Sequence, residues 1–213
     1  MKTDDLIALL SDELPSVPRG LPRRLLLAGL AAGAGAAAVI LALTLRLRPD
    51  LATALAGWPF WIKFSYTAAL TVLAFWLVVR QSRPGADARA PSRALLIPVG
   101  LLGAVALAQL FAPEADTRDL LMGRSAKVYS SLILGLSLPI FAAIILVMRR
   151  LAPTRPIAAG ASAGLLAGAS SAAVYCLHCP ETAAPFVLIW YSLGILLSTG
   201  LGAASGNYLL RWQ

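Results

Sequence analysis

Six apolar stretches run through the 213 residues of this chain, at positions 25–45, 61–79, 94–111, 128–148, 157–175 and 186–209. A helix needs about 20 mainly apolar residues to cross a bilayer, and each stretch is close to or above that length. None contains Asp, Glu or Arg in its interior; Lys63 stands near one end, where its ammonium is expected to snorkel towards water. The runs mix small, aromatic and branched residues without the two-residue alternation of an outer-membrane barrel. The first run starts too late and is too long for a simple cleavable signal peptide. The pattern predicts an all-α membrane protein with six transmembrane helices. Residues 25–213 form the membrane domain and residues 1–24 a separate arm.

Composition agrees: 59% of residues are hydrophobic and 13% charged, against roughly a quarter charged in soluble domains. The lack of ionisable residues inside the spans argues against ion pumps and proton-coupled carriers, which need a buried relay. The net charge of +8 is a topology signal rather than a nucleic-acid footprint. With the N-terminus inside, 12 basic residues fall on inner segments and 6 on outer ones, as the positive-inside rule requires. The last outer loop, 178–185, has no Lys or Arg. The expected topology is therefore N-in and C-in within a bacterial inner membrane, surrounded by lipid and without direct nucleic-acid contact.

The arm opens Met1-Lys-Thr-Asp-Asp-Leu-Ile. Thr3 suits an N-cap, and Asp4 and Asp5 suit the first turn of a helix dipole. Leu6, Ile7, Leu9, Leu10 and Leu14 make an apolar stripe opposed by Asp4, Asp5, Asp12 and Glu13. Pro15 and Pro18 end the pattern. The expected element is a short amphipathic helix at the cytoplasmic face. Its acidic side is a poor match for an anionic leaflet and a better one for a basic groove on a protein. The plainer alternative is a capped helix resting on its own membrane domain.

Between spans, residues 80–93 read as a flexible connection, and the charge-balanced stretch 113–127 as a short surface helix or ion-paired loop. Pro98 and Pro139 fall inside spans three and four and are expected to kink them. Gly160, Gly164 and Gly168 recur every four residues in span five, and Gly194, Ser198, Gly202 and Gly206 in span six. Small residues at that spacing share one helix face and allow close backbone approach. The short connection makes spans five and six an antiparallel hairpin. Gly29, Gly33 and Ala37 offer a similar stripe in span one.

The chain's two cysteines and single histidine lie together at its tip, in Cys176-Leu-His178-Cys179-Pro-Glu181. Three chemistries compete with a plainer reading, a structural disulfide or two buried thiols. A C-x-x-C pair closes a disulfide in an oxidising compartment. Cys176, His178, Cys179 and Glu181 offer donors to a thiophilic metal, held partially and exchangeably because they are so close in sequence. Disulfide-exchange catalysis is disfavoured, since the pair follows a helix C-terminus, where the dipole opposes a thiolate. No second cysteine pair exists to pass electrons on.

The opening motif, the Leu14-Pro-Ser-Val-Pro18 after it, the 176–181 element and the closing Trp190-Tyr-Ser-Leu-Gly194 and Gly206-Asn-Tyr-Leu-Leu-Arg-Trp212 resemble the negative-regulator-of-sigma-F family of six-helix bacterial anti-sigma factors. That resemblance implies a non-enzymatic membrane tether. It would hold an extracytoplasmic-function sigma factor inactive and release it on stress from metals or oxidants. It assigns partner binding to Asp4, Asp5, Leu6 and Ile7, and the response to Cys176 and Cys179. Leu10, one turn after Leu6, is expected to be a second anchor, and His178 to join the periplasmic sensor. No resident cofactor is implied beyond a transient thiophilic metal ion. The competing reading is a membrane thiol oxidoreductase or metal-handling transporter built on the same cysteines.

Overall fold

In a computed structural model, the described residues are 20–83, 85–112, 116–123, 126–151 and 153–211. The arm residues Asp4, Asp5, Leu6, Ile7 and Leu10 lie outside them. Six helices are long and apolar enough to cross a membrane: α1 (Leu21–Thr44), α2 (Trp58–Gln81), α3 (Arg89–Leu110), α4 (Val128–Arg149), α5 (Pro156–Tyr175) and α6 (Ala184–Leu209). They coincide with the apolar runs, each extended by up to five residues at an end. Four of them, α1, α2, α5 and α6, open with Pro in the first turn. Proline's fixed φ and missing donor cost nothing there.

The two internal prolines behave differently. In α3 the helix breaks at Leu95, where Pro98 can neither bond to the carbonyl of Ala94 nor avoid it sterically. Pro139 sits within an uninterrupted helix, Ala126–Arg149. Two short helices were not all foreseen. Thr117–Met122 matches the expected surface helix and is capped by Asp116, whose carboxylate accepts the amide of Arg118 at 2.9 Å. Leu51–Ala56 between α1 and α2 has no counterpart in the sequence reading.

The most buried span is α5, which packs against α6, α2 and α4. Its small residues allow this. A Cβ on Gly160 would collide with the carbonyl of Gly202, and one on Gly164 with the carbonyl of Ser198. Gly168 faces Ile195 across the same antiparallel seam. Gly194 departs from the expected stripe: it packs against Ile133 of α4. The stripe of α1 also finds α4 as its main partner, with Gly29 over Ala143 and Gly33 over Ile140.

Two cores divide the bundle along its length. One, nearer the N-terminal end, gathers Leu26, Val78, Ile140, Met148 and Leu166. The other, at the far end, is aromatic and holds Tyr129, Tyr175, Phe186 and Tyr191 around both cysteines. The outer surface carries large apolar side chains, among them Leu43, Val72, Leu96 and Leu101. Such a surface suits hydrocarbon rather than water.

Candidate functional site

The far end of the hairpin is closed. Beyond Tyr175 the chain continues as a tight turn, with the amides of His178 and Cys179 both bonding to the carbonyl of Tyr175 at 3.0 and 3.1 Å. Cys176 caps α5. Both cysteines are free thiols with no exposed surface.

Each thiol sits in its own polar niche. Cys176 Sγ donates to the carbonyl of Ala172 at 3.3 Å and lies 3.8 Å from Thr67 Oγ1 on α2. Burial pushes the Cys176 thiol up to about 11, opposed mainly by the Lys63 ammonium and the Thr67 hydroxyl. Cys179 Sγ reaches the carbonyl of Glu181 at 4.0 Å. Tyr191 shares the aromatic core with both cysteines, and its buried hydroxyl has no hydrogen-bond partner among the described residues.

Lys63 corrects the sequence reading. Its side chain does not snorkel out: it is 1% exposed. The ammonium turns into the bundle and donates to the carbonyls of Cys179 at 2.8 Å and Glu181 at 2.9 Å. It also stands 5.8 Å from the ring centre of Tyr191, close enough for a cation–π attraction. A buried ammonium is costly unless its donors are satisfied, and here the carbonyls of the cysteine loop satisfy them.

A second cation reinforces the clasp from the α1–α2 connection. Arg48 Nη1 donates to the Cys179 carbonyl at 3.4 Å, and its amide to the carbonyl of Leu177 at 3.2 Å. Asp50 holds the guanidinium through bonds of 2.7 and 2.6 Å. That pairing raises the Arg48 pKa and lowers that of Asp50. Arg46, in the left-handed conformation at φ 63°, presents its carbonyl to His178 Nδ1 at 2.8 Å. A carbonyl only accepts, so Nδ1 is the donor in this bond.

The start of α6 completes the enclosure. A π-helical turn spans Val187–Tyr191, and such turns are frequent at functional positions. The carbonyl of Trp190 in it accepts from Ser130 Oγ at 2.8 Å, while Trp190 Nε1 donates to the carbonyl of Leu121 at 2.9 Å. Gly123, at φ 50°, packs beneath Phe186 and Glu181.

The four proposed donors therefore do not arrive as a ready chelate. Among the described residues, no three His, Cys, Asp or Glu side chains are grouped to hold a metal ion. The structure brings Cys176 and Cys179 together with Lys63, Thr67 and Tyr191 instead. None of these three carries a local sequence signal for the role, because each is distant in the chain.

A family described as negative regulator of sigma F matches residues 10–212. A probable anti-sigma-F factor of Azospira oryzae is 43% identical over the full length of both chains. An anti-sigma-F factor of Caulobacter vibrioides is 41% identical, again over the full length of both. No solved structure matches.

Proposed function

Because the chain belongs to the negative-regulator-of-sigma-F family, we propose that it is a membrane-held anti-sigma factor. It restrains a sigma factor of the extracytoplasmic-function class and frees it on a stress signal. The observation that carries this reading is the unbroken similarity, across the whole chain, to proteins named anti-sigma-F factors. The N-terminal arm is the sigma-binding element, with Asp4, Asp5, Leu6, Ile7 and Leu10 in contact. The membrane domain sits N-in and C-in in the inner membrane, which puts the cysteine hairpin in the periplasm.

The hairpin is the sensor in this reading. Cys176 and Cys179 are buried in a loop whose carbonyls are gripped by Lys63 and Arg48, with His178 half-buried beside them. Oxidant or a thiophilic cation would capture thiols exposed by opening, and so favour the open arrangement. A signal shifts such an equilibrium only by its differential affinity for the two arrangements. Buried thiols with Cys176 pushed up to about 11 fit a latched sensor better than an oxidoreductase, whose attacking thiol needs an accessible, lowered pKa.

The test is co-purification. A tagged chain, solubilised from inner membranes, should retain a sigma factor identifiable by mass spectrometry. Replacing both Leu6 and Leu10 with Asp should cut recovery more than about thirtyfold, since losing an interface anchor commonly costs about 2 kcal/mol or more. A chain that retains no sigma factor under any condition overturns the anti-sigma reading.

A further inference from the structure

At the end of the bundle opposite the cysteines, the α2–α3 connection meets the residues leading into α5 around a cavity of about 650 Å³. Arg83, Arg89, Arg93 and Arg155 line it, and Asp87 is the acid among the described lining residues. The Asp87 carboxylate is already turned to the amide of Arg89 at 2.9 Å. Arg89, Arg93 and Arg155 are exposed and make no ion pair among the described residues. Several guanidinium groups around one concavity repel one another unless an anion lies between them. Their planar donor forks match carboxylates in a two-point fashion.

The described chain begins at the same end of the bundle as this cavity. Leu26 of α1 shares a core with Met148 and Ala159, and Ala159 bonds back to the carbonyl of Arg155 at 2.9 Å. Gly20 is six residues before Leu26, roughly 9 Å along a helix. The arm ahead of Gly20 carries Asp4, Asp5, Asp12 and Glu13, four of the chain's ten acidic residues. From Gly20 to Asp12 an extended chain reaches up to about 29 Å. A tether of this length gives its acids a local concentration on the order of millimolar at the cavity.

We propose that the arginine cavity is an intramolecular dock for the acidic arm, holding it through carboxylate–guanidinium pairs until a sigma factor takes it away. The proposal rests on the reading that the arm binds sigma. It adds a competitor built into the same chain: the apparent affinity for sigma is the intrinsic affinity multiplied by the fraction of arms that are undocked. It also makes the cavity a point where a change in the membrane domain alters the arm's availability.

Site-directed cross-linking of the full-length chain tests this. In a Cys176→Ser/Cys179→Ser background, Ser11→Cys adjoins the acids of the arm and Ser92→Cys lines the cavity, with every charge kept. Oxidation in low salt should join the pair, and rising KCl should slow the reaction at least tenfold. Arg89→Glu with Arg93→Glu should abolish the link, and adding Asp12→Arg with Glu13→Arg should restore it. The same cavity reversal should strengthen capture of the sigma factor. Absence of the cross-link, or a cross-link indifferent to salt in the unreversed cavity, overturns the dock. So does weakened sigma capture on reversal, which would make the cavity a sigma contact. Failure of the anti-sigma reading looks different: no variant captures sigma, while the salt-sensitive cross-link persists.

Discussion

The Lys63 ammonium and the Cys179 carbonyl, 116 residues apart in the chain, meet at 2.8 Å inside the far end of the bundle. With the second bond to Glu181, this contact ties α2 to the loop that joins α5 and α6. The cysteine hairpin is therefore held by a neighbouring helix, not only by its own turn.

Replacing Lys63 with Met should keep the side-chain volume but remove both bonds, leaving the Cys179 carbonyl to Arg48 alone and the Glu181 carbonyl to the weak thiol donor of Cys179. Loss of bonds to a charged donor costs about 1.5–3 kcal/mol each, partly offset because the variant no longer buries an ammonium. The expected result is a lower thermal midpoint in detergent and at least tenfold faster maleimide labelling of Cys179. Unchanged labelling would show that the loop is held elsewhere.

Thiol chemistry should be slow at neutral pH. With Cys176 pushed up to about 11, its thiolate fraction at pH 7 is on the order of one in ten thousand, about a hundredfold below a thiol of pKa about 9. In a Cys179→Ser variant, iodoacetamide labelling should rise tenfold per pH unit until about pH 11. The sign for stability follows: burial favours the neutral thiol, so its contribution is intact below about pH 9 and is lost as pH rises through 11. A labelling plateau below pH 9 would contradict this placement.

Gly164→Val should drive a side chain into the backbone of Ser198. Overpacking costs about 1–3 kcal/mol where neighbours can shift, and a helix backbone shifts less readily than a side chain. Gly103 has open space around its Cβ position, so Gly103→Val is the matched control. Thermal unfolding should separate the two, with α5–α6 destabilised only by the first.

Replacing Cys176 or Cys179 with Ser should leave repression intact in a sigma-dependent reporter strain. It should abolish induction by a thiophilic cation such as cadmium. A double variant that still responds to cadmium would reduce the pair to a packing role and leave the arm's function untouched.

The spans were readable because hydrocarbon imposes a length and a polarity on any helix that crosses it. The seam was readable in part for a similar reason: Gly160, Gly164 and Gly202 recur at the helical period and do face one another. Gly194 fits the same period yet serves α4, since period gives a face but not the neighbour on it. Lys63 was misread because a lysine near a helix end ordinarily reaches water. Nothing local records that carbonyls from 116 residues away will meet it. The π-helical turn at Val187–Tyr191 was invisible too, because it has no composition of its own and answers to partners such as Ser130.

The third span remains the outlier of the bundle, little buried along its length. Its C-terminal end is fastened where Gln109 Oε1 accepts the amide of Ala184, the first residue of α6, at 2.8 Å. Its N-terminal end supplies Arg89 and Arg93 to the cavity, beyond the break at Leu95. At 22 residues it measures about 33 Å, close to the hydrocarbon thickness of a bilayer. A strut of that length, loosely braced on its sides, answers to the thickness of the surrounding lipid by tilting. The two ends of this helix, one tied to the hairpin and the other carrying arginines of the cavity, are thus joined through a span that packs loosely between them.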